Sequence, residues 1–178
     1  RYFILATRYP NWKLEAPKPT CDREVTVEEA LDGLPNVIPN TDEDAKEYTG
    51  LTSAFARLMQ DKAFWKRENF TNDISYQTSM KHRACTLERF SLLAPGESLK
   101  DLFDKYQGAE REQLQAKRVL PKKMFIKRKY RLISAEPSPT VTRHCLDGFV
   151  HPIFDRALTV RECARLQSFP DSYDFCGG

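Results

Sequence analysis

The sequence predicts an α+β domain, small and loop-rich, on three observations. A helix near the C-terminus has both of its ends written into the residues Thr159 to Pro170. Strand-like apolar runs occur at Tyr2–Thr7 and Met124–Ile133. Finally, 178 residues are enough for one domain, while 11 prolines and a mean hydropathy of −0.59 interrupt any core with loops.

Tyr2 to Thr7 reads as a buried strand entered partway, with no initiating Met before Arg1, which predicts a piece of a longer chain or a second subunit. An extended segment punctuated by Pro10, Pro17 and Pro19 comes next. In Thr26-Val27-Glu28-Glu29 the hydroxyl and the carboxylate three positions on can satisfy each other's unpaired amides. This capping box opens a short helix through Ala30 and Leu31, which Gly33 and Pro35 end. Asp42 to Glu47 is a loop or a helix start. Leu51, Phe55, Leu58, Met59 and Trp65 recur at helical spacing and predict a core face, whereas Thr71 to Met80 is polar and irregular. Pro95-Gly96 makes a turn, and Ser98 caps a helix carrying Leu99, Leu102, Phe103 and Tyr106, with Gly108 after it. Pro137-Ser138-Pro139 breaks the Met124–Ile133 strand before a short strand centred on Val141.

The last helix is the most explicit. Thr159 is its N-cap, Glu162 completes a second capping box, and Pro170 stops it. Val160, Cys163, Ala164 and Gln167 fall on one face, and Arg161 and Arg165, four apart, on another. On local physics alone this is an ordinary capped helix with a solvated arginine face.

Composition excludes several classes. No run approaches the roughly 20 apolar residues of a membrane span, and Arg1–Ala6 is too short for the apolar region of a signal peptide. The five cysteines are scattered and form no Cys-x-x-Cys, which argues against a disulfide scaffold and a zinc site and for a reducing, cytoplasmic compartment. His82, His144 and His151 lack metal-ligand spacing; His144 and His151 read as satisfied structural residues, and Asp171 and Asp174 as loop surface. No metal site is expected. Charge is unevenly spread: ten acidic residues against four basic lie between Lys13 and Glu47, but nine basic against one acidic between Arg111 and Arg131. Interleaving of that basic run with Met124, Phe125, Ile126 and Tyr130 predicts a folded basic surface suited to a phosphate backbone.

Arg156 to Asp171 resembles the ninth sequence motif of the DNA (cytosine-5) methyltransferases, an Arg-x-Leu-Thr-x-Arg-Glu-x-Ala-Arg-Leu-Gln-x-Phe-Pro-Asp pattern located after the target-recognition region. Upstream, Pro137-Ser138-Pro139-Thr140-Val141-Thr142 and His151-Pro152 resemble the family's Pro-Ser-x-Thr-hydrophobic-Thr and His-Pro elements. His82-Arg83 and Ala94-Pro95-Gly96, with Leu102, are similar to its His and Pro-Pro-Gly elements, Ala94 replacing the first proline. Arg1 and the strand after it look like the end of the eighth motif, and Pro17-Lys18-Pro19 to Leu34-Pro35 resemble the family's segment downstream of that motif. The likeness covers almost the whole chain and is patchy from Pro39 to Met80.

The resemblance implies a mostly β target-recognition lobe with short helices, spanning residues 36–155. Residues 1–35 would be a strand and extension leaving an α/β methyltransferase lobe, and 156–178 the helix returning to it. It also implies double-stranded DNA as partner, a bacterial source, and S-adenosylmethionine as cofactor of the complete enzyme. By it, Arg1 contacts the target cytosine or its phosphate, Thr140 and Val141 lie near the flipped nucleotide's backbone, and Thr142 binds DNA beside them. Lys127, Arg128, Lys129, Arg131 and Arg143 contact phosphates or guanine edges. Arg156, Thr159, Arg161, Glu162, Arg165 and Gln167 are structural. The family's chemistry further needs a Pro-Cys nucleophile, a Glu-Asn-Val carboxylate and a glycine-rich cofactor turn. No Pro-Cys, Glu-Asn-Val or Gly-x-Gly occurs here, and Glu68-Asn69-Phe70 is a coincidence in the wrong order. The chain alone is therefore expected to be inactive and to bind no cofactor, its partner being the lobe or subunit that carries the cysteine. The alternatives are the second subunit of a split methyltransferase and a degenerate DNA-binding module.

Overall fold

The computed structural model describes residues 6–9, 11–16, 18, 22–42, 45–66, 73–123, 129–142 and 148–175. Among these lie six helices: α1 Val27–Leu31, α2 Ala54–Gln60, α3 Ala84–Ser91, α4 Leu99–Lys105, α5 Gly108–Ala116 and α6 Val160–Leu166. Two strands, β1 Tyr130–Arg131 and β2 Phe149–Val150, pair in parallel with Tyr130 opposite Phe149 and Arg131 opposite Val150.

Local chemistry explains where most helices start. Thr26, Ser98 and Thr159 each accept from the amide three residues on, and the carboxylates of Glu29, Asp101 and Glu162 reach back to the cap amide. At Glu29 the Arg23 guanidinium and the Thr26 amide hold the carboxyl down at about 2. Ser53 caps α2 and also donates to the Glu29 carbonyl. Asp32, just past α1, accepts from the amides of Thr52 and Ser53 at 2.6 and 2.7 Å, which ties the exit of α1 to the entry of α2. Gly33 turns the chain there at φ +75°, where a Cβ would meet Leu51 Cδ2 at 2.2 Å.

The short sheet separates two cores. Successive strand residues face opposite sides, so Phe149 joins Val27, Leu132, Val141, Leu158 and Cys163, while Val150 joins Phe90, Leu93, Leu99, Leu102 and Leu120. The first core draws on α1, the segment around Val141 and α6, and α1 packs against both α6 and α2.

Several expectations are corrected. Among the described residues helix outweighs strand, and most residues lie in neither. Val141 is buried at 9% exposure but lies in no strand, because Pro137 and Pro139 remove the donors a ladder would need. Of the described part of the Met124–Ile133 run, residues 129–133, Tyr130 and Arg131 are strand; residues 124–128 lie outside the described set, as do Tyr2 to Leu5 of the opening run. Helices α3 and α5 were not expected. Their caps, Arg83 and Gln107, make no side-chain cap bond, so the residues carry no start signal. No described helix is long and apolar enough to cross a membrane.

Candidate nucleic-acid interface and the arginine-framed helix

The face of α6 expected to be solvated is its most buried. Arg161 and Arg165, together with Arg156 just before the helix, are each 0% exposed, whereas Val160 is 37% exposed. Helical spacing places residues on a face; it does not say whether another segment covers that face. Here residues 30–36, 48, 75–77 and 170–173 cover it, and each guanidinium reaches them through its fixed fork of donors.

Arg156 clasps Glu162 with two bonds of 2.8 and 2.7 Å and also donates to the Ala157 carbonyl at 3.1 Å. Glu162 meanwhile accepts from the Thr159 amide at 2.8 Å, so one buried carboxylate serves both the cap and the ion pair. Gln77, fully buried, closes this node: its amide nitrogen donates to the Pro35 carbonyl at 2.8 Å and to Glu162 at 3.2 Å, and its oxygen accepts from the Thr159 hydroxyl at 2.8 Å. Arg165 makes a second bidentate pair, 2.7 and 2.7 Å, with Asp171, and donates to the carbonyls of Ala30 and Asp32 at 3.1 and 3.0 Å. Arg161 holds carbonyls instead: Ser75 at 3.0 Å, Pro170 at 3.2 Å and Tyr173 at 3.0 Å. Asp171, expected on a loop surface, is 1% exposed and also accepts from the Tyr48 hydroxyl at 2.8 Å. Gln167 is exposed at the C-cap.

Protonation reflects these contacts. Burial alone would raise the Glu162 carboxyl, but the Arg156 guanidinium outweighs it and keeps the group below its ordinary range. Burial pushes His151 down to about 4, with the Arg156 and Arg131 charges adding to it. Its Nδ1 accepts from the amides of Ile153 and Phe154, both at 3.1 Å, which assigns the ring proton to Nε2, 3.9 Å from Glu162. His82 is likewise lowered, by burial and then by Lys129 and Arg156, and its Nε2 accepts from the Ala157 amide at 3.2 Å.

The residues expected to meet DNA are distributed unevenly. Arg1, Lys127, Arg128 and Arg143 lie outside the described residues, as do His144 and Glu68-Asn69-Phe70. Lys129 is half-buried with its ammonium 5.7 Å from the Phe90 ring centroid. Thr140 and Thr142 are exposed on either side of buried Val141. Arg131 is not on the surface: it is 4% exposed and donates to the carbonyls of His151 at 3.0 Å and Phe90 at 2.6 Å and to Asp155 at 2.5 Å. Its strand position turns it inward between β2 and the end of α3. Among the described residues no cluster of His, Cys, Asp and Glu could hold a metal ion.

A family model for C-5 cytosine-specific DNA methylase matches residues 1–178. The chain belongs to that family. The type II methyltransferase M.DdeI of Desulfomicrobium norvegicum is 32% identical over 99 residues, 56% of this chain and 23% of that protein. M.AquIB of Picosynechococcus is 55% identical over 47 residues, 26% of this chain and 34% of that protein. A crystal structure of a DNA modification methyltransferase encoded within an E. coli prophage superposes with a TM-score of 0.51 at 27% identity, over 88% of this chain and 40% of that one. The methylase-family chain thus spans well under half the length of these relatives.

Methylases of this family use S-adenosylmethionine. A groove of about 520 Å³ between residues 36–39, α3 and Phe154 is open and largely apolar, and neither it nor the two smaller described cavities is lined by a glycine whose backbone could approach a cofactor closely. The residues that sequence reasoning missed in this methylase chain are Gln77, Ser75 and Tyr48. Each acts on a partner more than eighty positions away, and the polar run around Gln77 and Ser75 has no period to mark it.

Proposed function

We propose that this chain is the target-recognition part of a DNA (cytosine-5) methyltransferase, with the strand and extension of residues 1–35 leaving the lobe that performs the chemistry and residues 156–178 returning to it. One observation carries the reading: in the stretch most like the family's ninth motif, every guanidinium is turned inward and engaged. A helix so engaged presents no reactive group and instead holds three distant segments in one frame, which is a scaffold's task.

On that frame, duplex DNA lies against Lys127, Arg128, Lys129 and Arg143, with Thr140 and Thr142 beside the backbone of the displaced nucleotide and Arg1 near the target cytosine. Val141 anchors the two threonines from below. Arg131, being internal, braces β1 against α3 and makes no phosphate contact. The cytosine leaves the stack because its C5 and C6 are out of reach inside a duplex. The cysteine nucleophile, the Glu-Asn-Val carboxylate and S-adenosylmethionine belong to the other lobe, whether on the same chain or on a partner subunit.

Salt-dependent binding to mixed-sequence duplex DNA tests this assignment. Replacing Lys127, Arg128 and Lys129 by Gln should weaken all sequences alike and flatten the salt slope by about 0.9 per lost contact. Arg131→Gln should lower thermal stability and leave the slope unchanged. An unchanged slope in the triple variant, or a slope lost in Arg131→Gln at full stability, would overturn it.

A further inference from the structure

The connector that leaves α5 is built in a way the recognition reading does not require. Its backbone is pinned from two helices. Arg89 of α3 donates to the carbonyls of Val119 at 2.5 Å and Arg118 at 2.8 Å, and Gln115 of α5 donates to the Pro121 carbonyl at 2.9 Å. The amides of Val119 and Leu120 both return to the Leu114 carbonyl, at 2.8 and 3.2 Å. Val119 and Leu120 point inward, at 0% and 2% exposure, and Leu120 joins the core around Phe90 and Val150.

With those two side chains inside, Lys117, Arg118, Lys122 and Lys123 are left exposed. Among the described residues the only acid paired with them is Glu88, 3.6 Å from Lys117. Arg118 sits at φ +62°, a conformation that favours glycine, so the turn places a long cation where a small residue would be less strained. Four exposed cations within seven residues repel one another and attract a polyanion to this turn.

We infer that the turn 117–123 is a preset phosphodiester-binding site, in which Arg118, Lys122 and Lys123 contact the backbone of duplex DNA and Arg89 is the positioning residue that fixes them. The inference rests on the duplex-DNA reading above, and it gives individual roles to the part of the Arg111–Arg131 basic run that precedes Lys127, together with Arg89, which lies outside that run. Arg89 contributes through its two carbonyl bonds and not through its charge, since its side chain is turned onto the connector.

The test is the salt dependence of mixed-sequence duplex binding by the full chain. Each lost phosphate contact should reduce the slope by about 0.9, so that between 50 and 200 mM salt the affinity falls roughly three- to fourfold less per contact removed. Arg118→Gln/Lys122→Gln/Lys123→Gln is expected to flatten the slope by about 2.7 in total. Lys13→Gln/Lys18→Gln, which removes exposed charge elsewhere, should leave it unchanged. Arg89→Lys keeps the net charge but cannot hold both carbonyls, so a flattened slope there reads lost positioning. If the wild-type chain binds duplex with a steep slope and the triple variant keeps that slope, the inference fails and the recognition reading stands. If the wild-type chain shows no salt-dependent binding at all, both fail. Equal loss in the Lys13/Lys18 variant would also overturn the site, reducing it to bulk charge.

Discussion

Replacing Asp171 by Asn severs the most enclosed ion pair among the described residues. Asp171 is 1% exposed and Arg165 0%, and two bonds of 2.7 Å join them. Asn keeps the volume but loses the charge and one acceptor, so its NH2 must face either the guanidinium or the Tyr48 hydroxyl, which now donates to Oδ2 at 2.8 Å. Arg165 stays fixed by the carbonyls of Ala30 and Asp32 and therefore cannot swing out to water. Stranding one partner of a buried pair costs about 3–5 kcal/mol. With a urea dependence of about 2 kcal/mol per molar, the unfolding midpoint should fall by roughly 1.5–2.5 M. Thermal unfolding should move down by roughly 6–20 °C, at about 2–4 °C per kcal/mol for a chain of this size. Tyr48→Phe, which removes a single bond to the charged acceptor, should cost only about 1.5 kcal/mol. Midpoints of Asp171→Asn and Tyr48→Phe that coincide, both within about 0.5 M of the wild type, would refute the argument that α6 is held by internal charge pairs.

Two further outcomes depend on the same frame. Thr159→Ala removes the α6 cap and also the hydroxyl that donates to Gln77, and at 1% exposure it leaves those partners without water. It should therefore cost about 1–2 kcal/mol in urea unfolding, more than Ser53→Ala at the half-buried α2 cap, whose hydroxyl likewise makes two bonds. His151 titrates at about 4 when folded and near 6.5 when unfolded, so between those values the unfolded chain binds more protons. Stability present above pH 6.5 is therefore lost as the pH falls towards 4, by about 3 kcal/mol in all. Glu162, whose carboxyl is depressed, adds its own loss only at lower pH, as the pH falls below the ordinary carboxylate range and through its folded value. His151→Asn, whose carbonyl oxygen can accept the same two amides, should flatten the upper window in pH-dependent unfolding and leave the lower one.

The sequence was legible where structure is local. The capping boxes at Thr26 and Thr159 and the cap at Ser98 all form, and each starts its helix at the expected residue. The two helices that escaped notice are the two whose caps make no side-chain bond, so nothing in the neighbouring residues announced them. Burial of the arginines was equally illegible. Whether Arg161 faces water or Ser75 depends on a segment 86 positions away, and no helical period reports on that. Family membership was legible for a different reason: the Arg156–Asp171 pattern is dense in residues that have fixed partners inside the frame. Asp171 shows the limit of reading side chains singly, since its neighbours in sequence suggest a surface loop and only its pairing with Arg165 takes it inside.

Methyl transfer with and without a catalytic part separates a DNA reader from a complete enzyme. The full chain is incubated with duplex DNA and radiolabelled S-adenosylmethionine, alone and after addition of the methyltransferase region that carries the Pro-Cys and Glu-Asn-Val elements. Salt-sensitive duplex binding without label transfer is expected of the chain alone, and 5-methylcytosine once the other part is supplied. Label transfer by the chain alone, or no duplex binding and no activity in either state, would contradict the recognition reading.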